Sequence, residues 1–266
     1  MGNAAASREE TSPLLRVERS GAVLTVGLNR PAKRNALNDG IILAIGECFA
    51  ELPDDVGAVV IHGVGDHFSS GLDLSELTDH DATRGLIHSQ MWHRVFDRIQ
   101  YSRVPVIAAL KGAVIGGGLE LACAAHIRVA EPSAYFALPE GQRGIFTGGG
   151  GSVRLPRLIG VARMTDMMLT GRVYSATEGS SYGFAQYLVE AGGALNKALE
   201  LAARIASNAP LTNFAVLQAL PMIAEANPQT GLLMESLMAT VAQSDKEAKR
   251  RIREFLDRKT AKVKPV

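Results

Sequence analysis

Glu120 stands in the stretch AVIGGGLELA (113–122), directly after three glycines and beside the apolar residues Leu119, Leu121, Ala122 and Cys123. That setting predicts at least partial burial, and a carboxylate is costly to bury without a partner. Glycines ahead of a helix permit a tight turn and let a ligand approach the backbone. The first N–H groups of a helix have no intrahelical partner, and the helix dipole makes that end attractive to negative charge. Gly116, Gly117 and Gly118 therefore form a candidate cradle for an oxyanion, with Glu120 as a candidate general base. A second glycine turn, HFSSGLDLSEL (67–77), has the same character: Ser70 and Gly71 can expose a backbone N–H, and Asp73 can steady the loop. Two backbone donors from separate loops can hold one developing oxyanion, and losing one such donor costs about 10²–10³ in rate. The second candidate carboxylate is Glu140 in YFALPEGQRG (135–144), set between Pro139 and Gly141. Two carboxylates facing one site can have their pKa values pushed apart, one serving as acid and one as base.

Each feature also has a plainer reading. Glu120 can pair with Arg128, and Glu140 with Arg143 or Arg154. GGGGS (148–152) looks like a phosphate loop, but no Lys follows at the required position, which excludes nucleotide hydrolysis by that motif. His80, His88 and His93 lack metal-site spacing, and no metal is expected. His88 and Trp92 are one helical turn apart and fit a pocket wall or a packed face. Met164, Met167 and Met168 read as core or interface residues.

The elements that must position these groups alternate in type. GAVLTVGLNR (21–30) reads as a strand and 35–52 as a helix. GAVVIHGVG (57–65) reads as a buried strand, 84–101 as a helix and VPVIAALKG (104–112) as a third strand. A glycine hinge and a helix follow at about 116–126, then short strands at 126–130 and 134–138. Strands alternating with helices imply an α/β fold. After residue 160 the stretches 162–171, 195–209, 211–226, 231–243 and 245–259 all read as helices.

The 266 residues, 47% hydrophobic and 21% charged, suit a soluble globular chain with a substantial core. A net charge of +1 gives no argument for nucleic acid, and no stretch approaches the length of a membrane span. Cys48 and Cys123 are too few for a metal motif or disulfide framework and read as reduced core residues in a reducing, cytoplasmic compartment. The first 13 residues lack a signal-peptide core and are expected as a flexible arm.

Taken together, five ordered motifs resemble the crotonase (enoyl-CoA hydratase/isomerase) superfamily. They are LNRPAKRNALN (28–38), HFSSGLDL (67–74), VPVIAALKGAVIGGGLELA (104–122), FALPEGQRGIFTGGGGSVRLPRLIG (136–160) and LTGRVYSATEG (169–179). The resemblance implies an α/β, crotonase-like β-β-α spiral core over 14–200. It also implies a C-terminal helical region over 201–266 that builds a homotrimer or a hexamer of two trimers. It implies an acyl-CoA thioester substrate, with coenzyme A arriving as part of it and no separate cofactor. The backbone N–H groups of Ser70 and Gly117 become the oxyanion hole, and Glu120 and Glu140 the acid/base pair of an enoyl-CoA hydratase. Lys33, Arg34, Ala36, Ser70, Gly71, Leu72, Asp73, Gly116 and Gly117 become the substrate-binding residues. Isomerase, aromatic hydratase-lyase, CoA-ester hydrolase and plain acyl-CoA binding are the alternatives on the same site.

Three stretches depart from the family pattern. EGQRGIF places Gln142 and Arg143 after the second glutamate, where they can add a polar group near the acyl end. GFAQYLV (183–189) replaces a commoner GLV. Arg250 and Arg251 replace a Glu-Gly pair, in a tail carrying nine Lys/Arg against three Asp/Glu over 246–264. That tail reads either as a phosphate-holding surface or as a solvated helix face.

Overall fold

The computed structural model describes the backbone of residues 7–77 and 81–257, with side chains over 13–75 and 81–257. The strands are β1 (Ser7–Ser12), β2 (Leu15–Ser20), β3 (Val23–Leu28), β4 (Ala58–Gly63), β5 (Val106–Leu110), β6 (Ala113–Ile115), β7 (Ile127–Ala130), β8 (Tyr135–Ala137), β9 (Tyr174–Ser175) and β10 (Tyr187–Leu188). Among the described residues a seven-stranded sheet runs in the order β1-β2-β3-β4-β5-β7-β10, and a three-stranded sheet in the order β6-β8-β9. The first three strands are an antiparallel meander, and from β3 onward the neighbours are parallel.

Parallel neighbours need crossovers. Helices α1 (Asp39–Ala50), α2 (Ala82–Gln100) and α3 (Gly117–Ala124) lie in these connections. Each turn of chain adds one strand to the large sheet, then one to the small sheet, as β5-β6 and β7-β8 do; Ser69, bridged to Val114, is the same step after β4. This is the expected β-β-α spiral. It brings the chain after every large-sheet strand to one region, where the two glycine turns and the Glu140 turn meet.

β4 and β5 are apolar along their length because both faces are covered. One face, with Val59, Ile61, Val106 and Ala108, joins the main core with Ile41, Ile45, Phe96 and Ile99. The other, with Val60, Ile107 and Ala109, packs on Ala198, Leu201 and Ala202 of a later helix. The later helices are α4 (Gly151–Ile159), α5 (Val161–Thr170), α6 (Ala176–Tyr182), α7 (Ala194–Ala206), α8 (Pro210–Phe214), α9 (Leu220–Glu225), α10 (Pro228–Ser244) and α11 (Lys246–Leu256), with a π-helical turn at Ala215–Ala219.

The chain divides into two compact units, Met1–Ala206 and Ser207–Val266. The boundary expected at 200/201 falls six residues later, because α7 uses its apolar stripe to cover the sheet and ends with it. The arm expected over 1–13 is a strand in its second half: Ser7, Arg8 and Glu9 pair with Arg19, Glu18 and Val17. In the second unit, Arg250 is ion-paired with Glu247 and Glu254, and Arg251 with Glu247. These arginines thus sit on a self-neutralised helix face, while the basic residues after Asp257 lie outside the described residues. Cys123, on α3, is buried in the core, and Cys48 is half-buried and packs against the same core.

Candidate active site

A cavity of about 230 Å³ opens where the glycine turns converge, lined by Ser70, Gly71, Leu72, Gly116, Gly117, Glu120 and Glu140, with His88, Ser89 and Trp92 from α2. Both predicted carboxylates therefore face one space. Glu120 is 4% exposed. Its Oε1 accepts from the backbone N–H of Gly149 (2.9 Å) and of Gly151 (2.7 Å). Burial pushes its pKa up, and these amides with the nearby Arg154 guanidinium pull the other way. The GGGGS run is thus a cradle for a carboxylate rather than for a phosphate. The pairing of Glu120 with Arg128 does not occur: Arg128 is buried elsewhere, donating to the carbonyls of Phe184 and Ala125.

Glu140 is 7% exposed, and its Oε2 has no hydrogen-bond partner among the described residues. Burial, aided by the charge of Glu120 and opposed by the Glu140 backbone N–H and by Arg143, pushes its pKa up to about 7. Its pairing with Arg154 is not made. Arg154 instead bonds Asp97, Gln100 and the Gly149 carbonyl. Gly116 must be glycine here. Its φ is +52°, and a methyl group on it would stand 2.8 Å from Glu140 Oε1.

The oxyanion donors need one correction. The Ser70 N–H is spent on the Arg34 carbonyl at 2.9 Å, so it is not free for a ligand. The turn of the chain at Gly71 (φ +89°) presents the next amide instead. Leu72 N lies 3.4 Å from where a methyl on Gly117 would stand, and Gly117 N lies 3.3 Å from where one on Gly71 would stand. The Leu72 and Gly117 amides therefore flank the same space, and neither donates to a protein acceptor among the described residues. Gly117 is the first residue of α3, so its amide is orphaned by helix geometry.

Of the other residues expected to bind substrate, Lys33, Arg34, Ala36 and Asp73 do not line the cavity. They hold its rim. The Lys33 carbonyl accepts from Ser70 Oγ, and Asp73 bonds Arg30 and Ser75. Asn35, missed in the sequence, is the knot of this rim. It is fully buried at φ +54°, with its Nδ2 donating to the carbonyls of Val64 (3.0 Å) and His67 (2.7 Å). Its Oδ1 accepts from the Arg30 N–H, and its own carbonyl accepts from Ser69 Oγ.

His88 and Trp92 do line the cavity. His88 Nε2 lies 2.8 Å from Asp39 Oδ1, and the Trp92 ring lies against Gly117, where a methyl would meet it at 2.7 Å. Of the two unusual polar residues after Glu140, Arg143 lines the cavity, whereas Gln142 packs on Gly171 and donates to the Thr170 carbonyl. Among the described residues no cluster of His, Cys, Asp and Glu could hold a metal ion, and His80 lies outside them. No helix of the described residues is long and apolar enough to cross a membrane.

The family model for enoyl-CoA hydratase/isomerase matches residues 18–264. The chain belongs to the enoyl-CoA hydratase/isomerase family. Among its relatives, a short-chain-enoyl-CoA hydratase of Clostridium acetobutylicum is 34% identical over 83% of this chain and 85% of its own. A 2,3-dehydroadipyl-CoA hydratase of Escherichia coli is 34% identical over 93% and 97%. The crystal structure of a candidate enoyl-CoA hydratase from Rhodopseudomonas palustris superimposes with a TM-score of 0.91 at 78% identity, covering 94% of this chain and 97% of that one. An enoyl-CoA hydratase from Bacillus anthracis gives 0.87 at 29% identity, covering 92% and 96%. The family's spiral and its helical C-terminal part are the architecture described above.

Proposed function

We propose that this chain is an enoyl-CoA hydratase, adding water across the 2,3 double bond of a 2-enoyl-CoA to give a 3-hydroxyacyl-CoA. The observation that carries this reading is the meeting of two buried carboxylates and two unspent backbone amides in one cavity. Ionised Glu120 takes a proton from water as the water oxygen bonds to C3. The π electrons move toward the thioester, and the resulting enolate oxygen is held by the Leu72 and Gly117 amides. Protonated Glu140 then delivers its proton to C2. One water has been added. The proton gained by Glu120 and the one lost by Glu140 are re-equilibrated through solvent before the next turnover.

The same reading brings coenzyme A as part of the substrate, no separate cofactor, a homotrimer or a hexamer of two trimers, and a cytoplasmic setting. Arg143 gives the cavity a cation beside the apolar Leu72, Leu74, Ile145 and Phe146. This supports an acyl group with a polar or anionic substituent. The Escherichia coli relative is named for such a substrate, since a 2,3-dehydroadipyl chain ends in a carboxylate.

The test is product mass after incubation with straight, branched, aromatic and dicarboxylic 2-enoyl-CoAs in ¹⁸O-labelled water. A product heavier by one labelled water is the expected result. Unchanged mass with a moved double bond, release of free CoA or an aldehyde, or binding without turnover would overturn the hydratase assignment.

A further inference from the structure

The sequence places four glycines in a row at 148–151, and the base depends on the direction in which two of their amides point. A run of glycines has more backbone freedom than any other sequence and no side chains with which to restrict it. Gly150, at φ +92°, adopts a conformation few other residues accept. Were a peptide plane here to turn over, a carbonyl oxygen would replace an N–H beside the Glu120 carboxylate, and attraction would become repulsion.

Each of the three peptide planes in this run is held from its carbonyl side. In a trans peptide the C=O and the following N–H point in opposite directions, so holding one aims the other. The Gly148 carbonyl accepts from Ser89 Oγ at 2.6 Å, and the N–H of the same plane is that of Gly149, which faces Glu120. The Gly149 carbonyl accepts from Arg154 Nη1 at 2.9 Å. The Gly150 carbonyl accepts from the N–H of Val153 (3.2 Å) and of Arg154 (3.1 Å), and the N–H of that plane is that of Gly151, which also faces Glu120. Arg154 is itself fixed by Gln100 Oε1 (2.5 Å) and Asp97 Oδ1 (2.6 Å), both on α2, the helix that carries Ser89.

We propose that Ser89 is a positioning residue that clamps the 148–151 loop onto α2, so that the Gly149 amide stays aimed at the base, while Arg154 steadies the middle plane of the loop, the one that carries the Gly150 N–H. This rests on the assignment of Glu120 as the base. The charged and titratable groups around Glu120 are Arg154 with its partner Asp97, Glu140 with Arg143 beyond it, and Cys123 on α3 itself. His93 touches Ser89 at 3.4 Å on the far side of the clamp. Removing the Ser89 hydroxyl frees the plane that carries the Gly149 amide and leaves all these charges in place.

The experiment compares Ser89→Ala, Ser89→Thr and Arg154→Gln with the wild-type enzyme. Hydration rates are measured against pH on whichever enoyl-CoA the wild type turns over. In parallel the Glu120 carboxyl is titrated by ¹³C NMR, its resonance identified by its loss in Glu120→Gln. In Ser89→Ala the carboxylate loses a charge-assisted hydrogen bond, so ionising it becomes harder, and its titration moves up by about one pH unit. The acid limb of kcat moves with it, KM stays within about twofold, and Ser89→Thr restores both. Arg154→Gln also moves the titration up, but it removes a cation that itself favours the Glu120 carboxylate, so Ser89→Ala, which changes no charge, is the deciding variant. An unmoved Glu120 titration in folded Ser89→Ala overturns the clamp. A wild type that hydrates nothing overturns the hydratase reading instead, and the NMR titration still decides the clamp.

Discussion

Glu140 is the residue whose surroundings say most about the chemistry. With its pKa pushed up to about 7, Glu140 holds at neutral pH the proton that C2 receives, while the Gly149 and Gly151 amides favour the ionised form that the base Glu120 needs against the burial that opposes it. Hydration should therefore fall above about pH 7 as Glu140 ionises. Glu140→Gln should lose about 10²–10⁴ in kcat, measured on the preferred enoyl-CoA. The same residue has a cost in stability. Its folded pKa lies above its unfolded one, so the native state holds a proton that the unfolded state releases as pH rises from about 4.5 to 7. Stability is lost across that window and stays lost above it. Glu140→Gln should accordingly be more stable than the wild type at pH 8, by on the order of 1–3 kcal/mol, with the advantage gone at pH 4; thermal melts at the two values measure it. The oxyanion donors are testable one atom at a time. Replacing the Leu72 amide by an ester, with the side chain kept, should cost about 10²–10³ in kcat. The same change at Ser70 should weaken the loop and leave the chemistry in place, since that N–H is bonded to Arg34.

At the scale of elements, the cavity is an assembly of turns held by a few buried polar contacts. Asn35 bonds across to the loop that follows β4, so cutting it leaves two carbonyls and one N–H buried without their partner. Asn35→Ala should lower stability by about 2–4 kcal/mol in denaturant titrations, with kcat falling as the Leu72 amide loses its register. The elements themselves were largely legible. α1 and α2 lie within two to four residues of the helices read from apolar spacing, and β4 and β5 within the strand-like runs at 57–65 and 104–112. β2 was not legible, because Arg16, Glu18 and Arg19 break up its apolar pattern; its Leu15 and Val17 point into the core all the same. The two glutamates and the Gly117 cradle could be read from side-chain type and spacing. The second oxyanion donor could not. Which amide is free depends on where Arg34 places its carbonyl, a long-range fact that the letters SSGL do not encode. The role of the glycine run at 148–151 was hidden in the same way, since its partner lies 29 residues away in sequence.

At the scale of the molecule, all residues of the cavity belong to the first unit, and the family match spans both units. The proposed trimer assigns assembly to the helical second unit. The burial of Cys123 has a further practical consequence. Its thiol is pushed up to about 11 by burial, so at pH 8 almost none of it is the nucleophilic thiolate. It sits one turn of α3 beyond Glu120, while Cys48 is half-buried on α1. An alkylating reagent should therefore label Cys48 first and reach Cys123 only when α3 comes away from the core. In a Cys48→Ser background, the labelling rate of Cys123 under rising urea would follow the opening of the helix that carries the base. A rate that tracks global unfolding is the expected outcome, and prompt labelling in native buffer would contradict the packing described here.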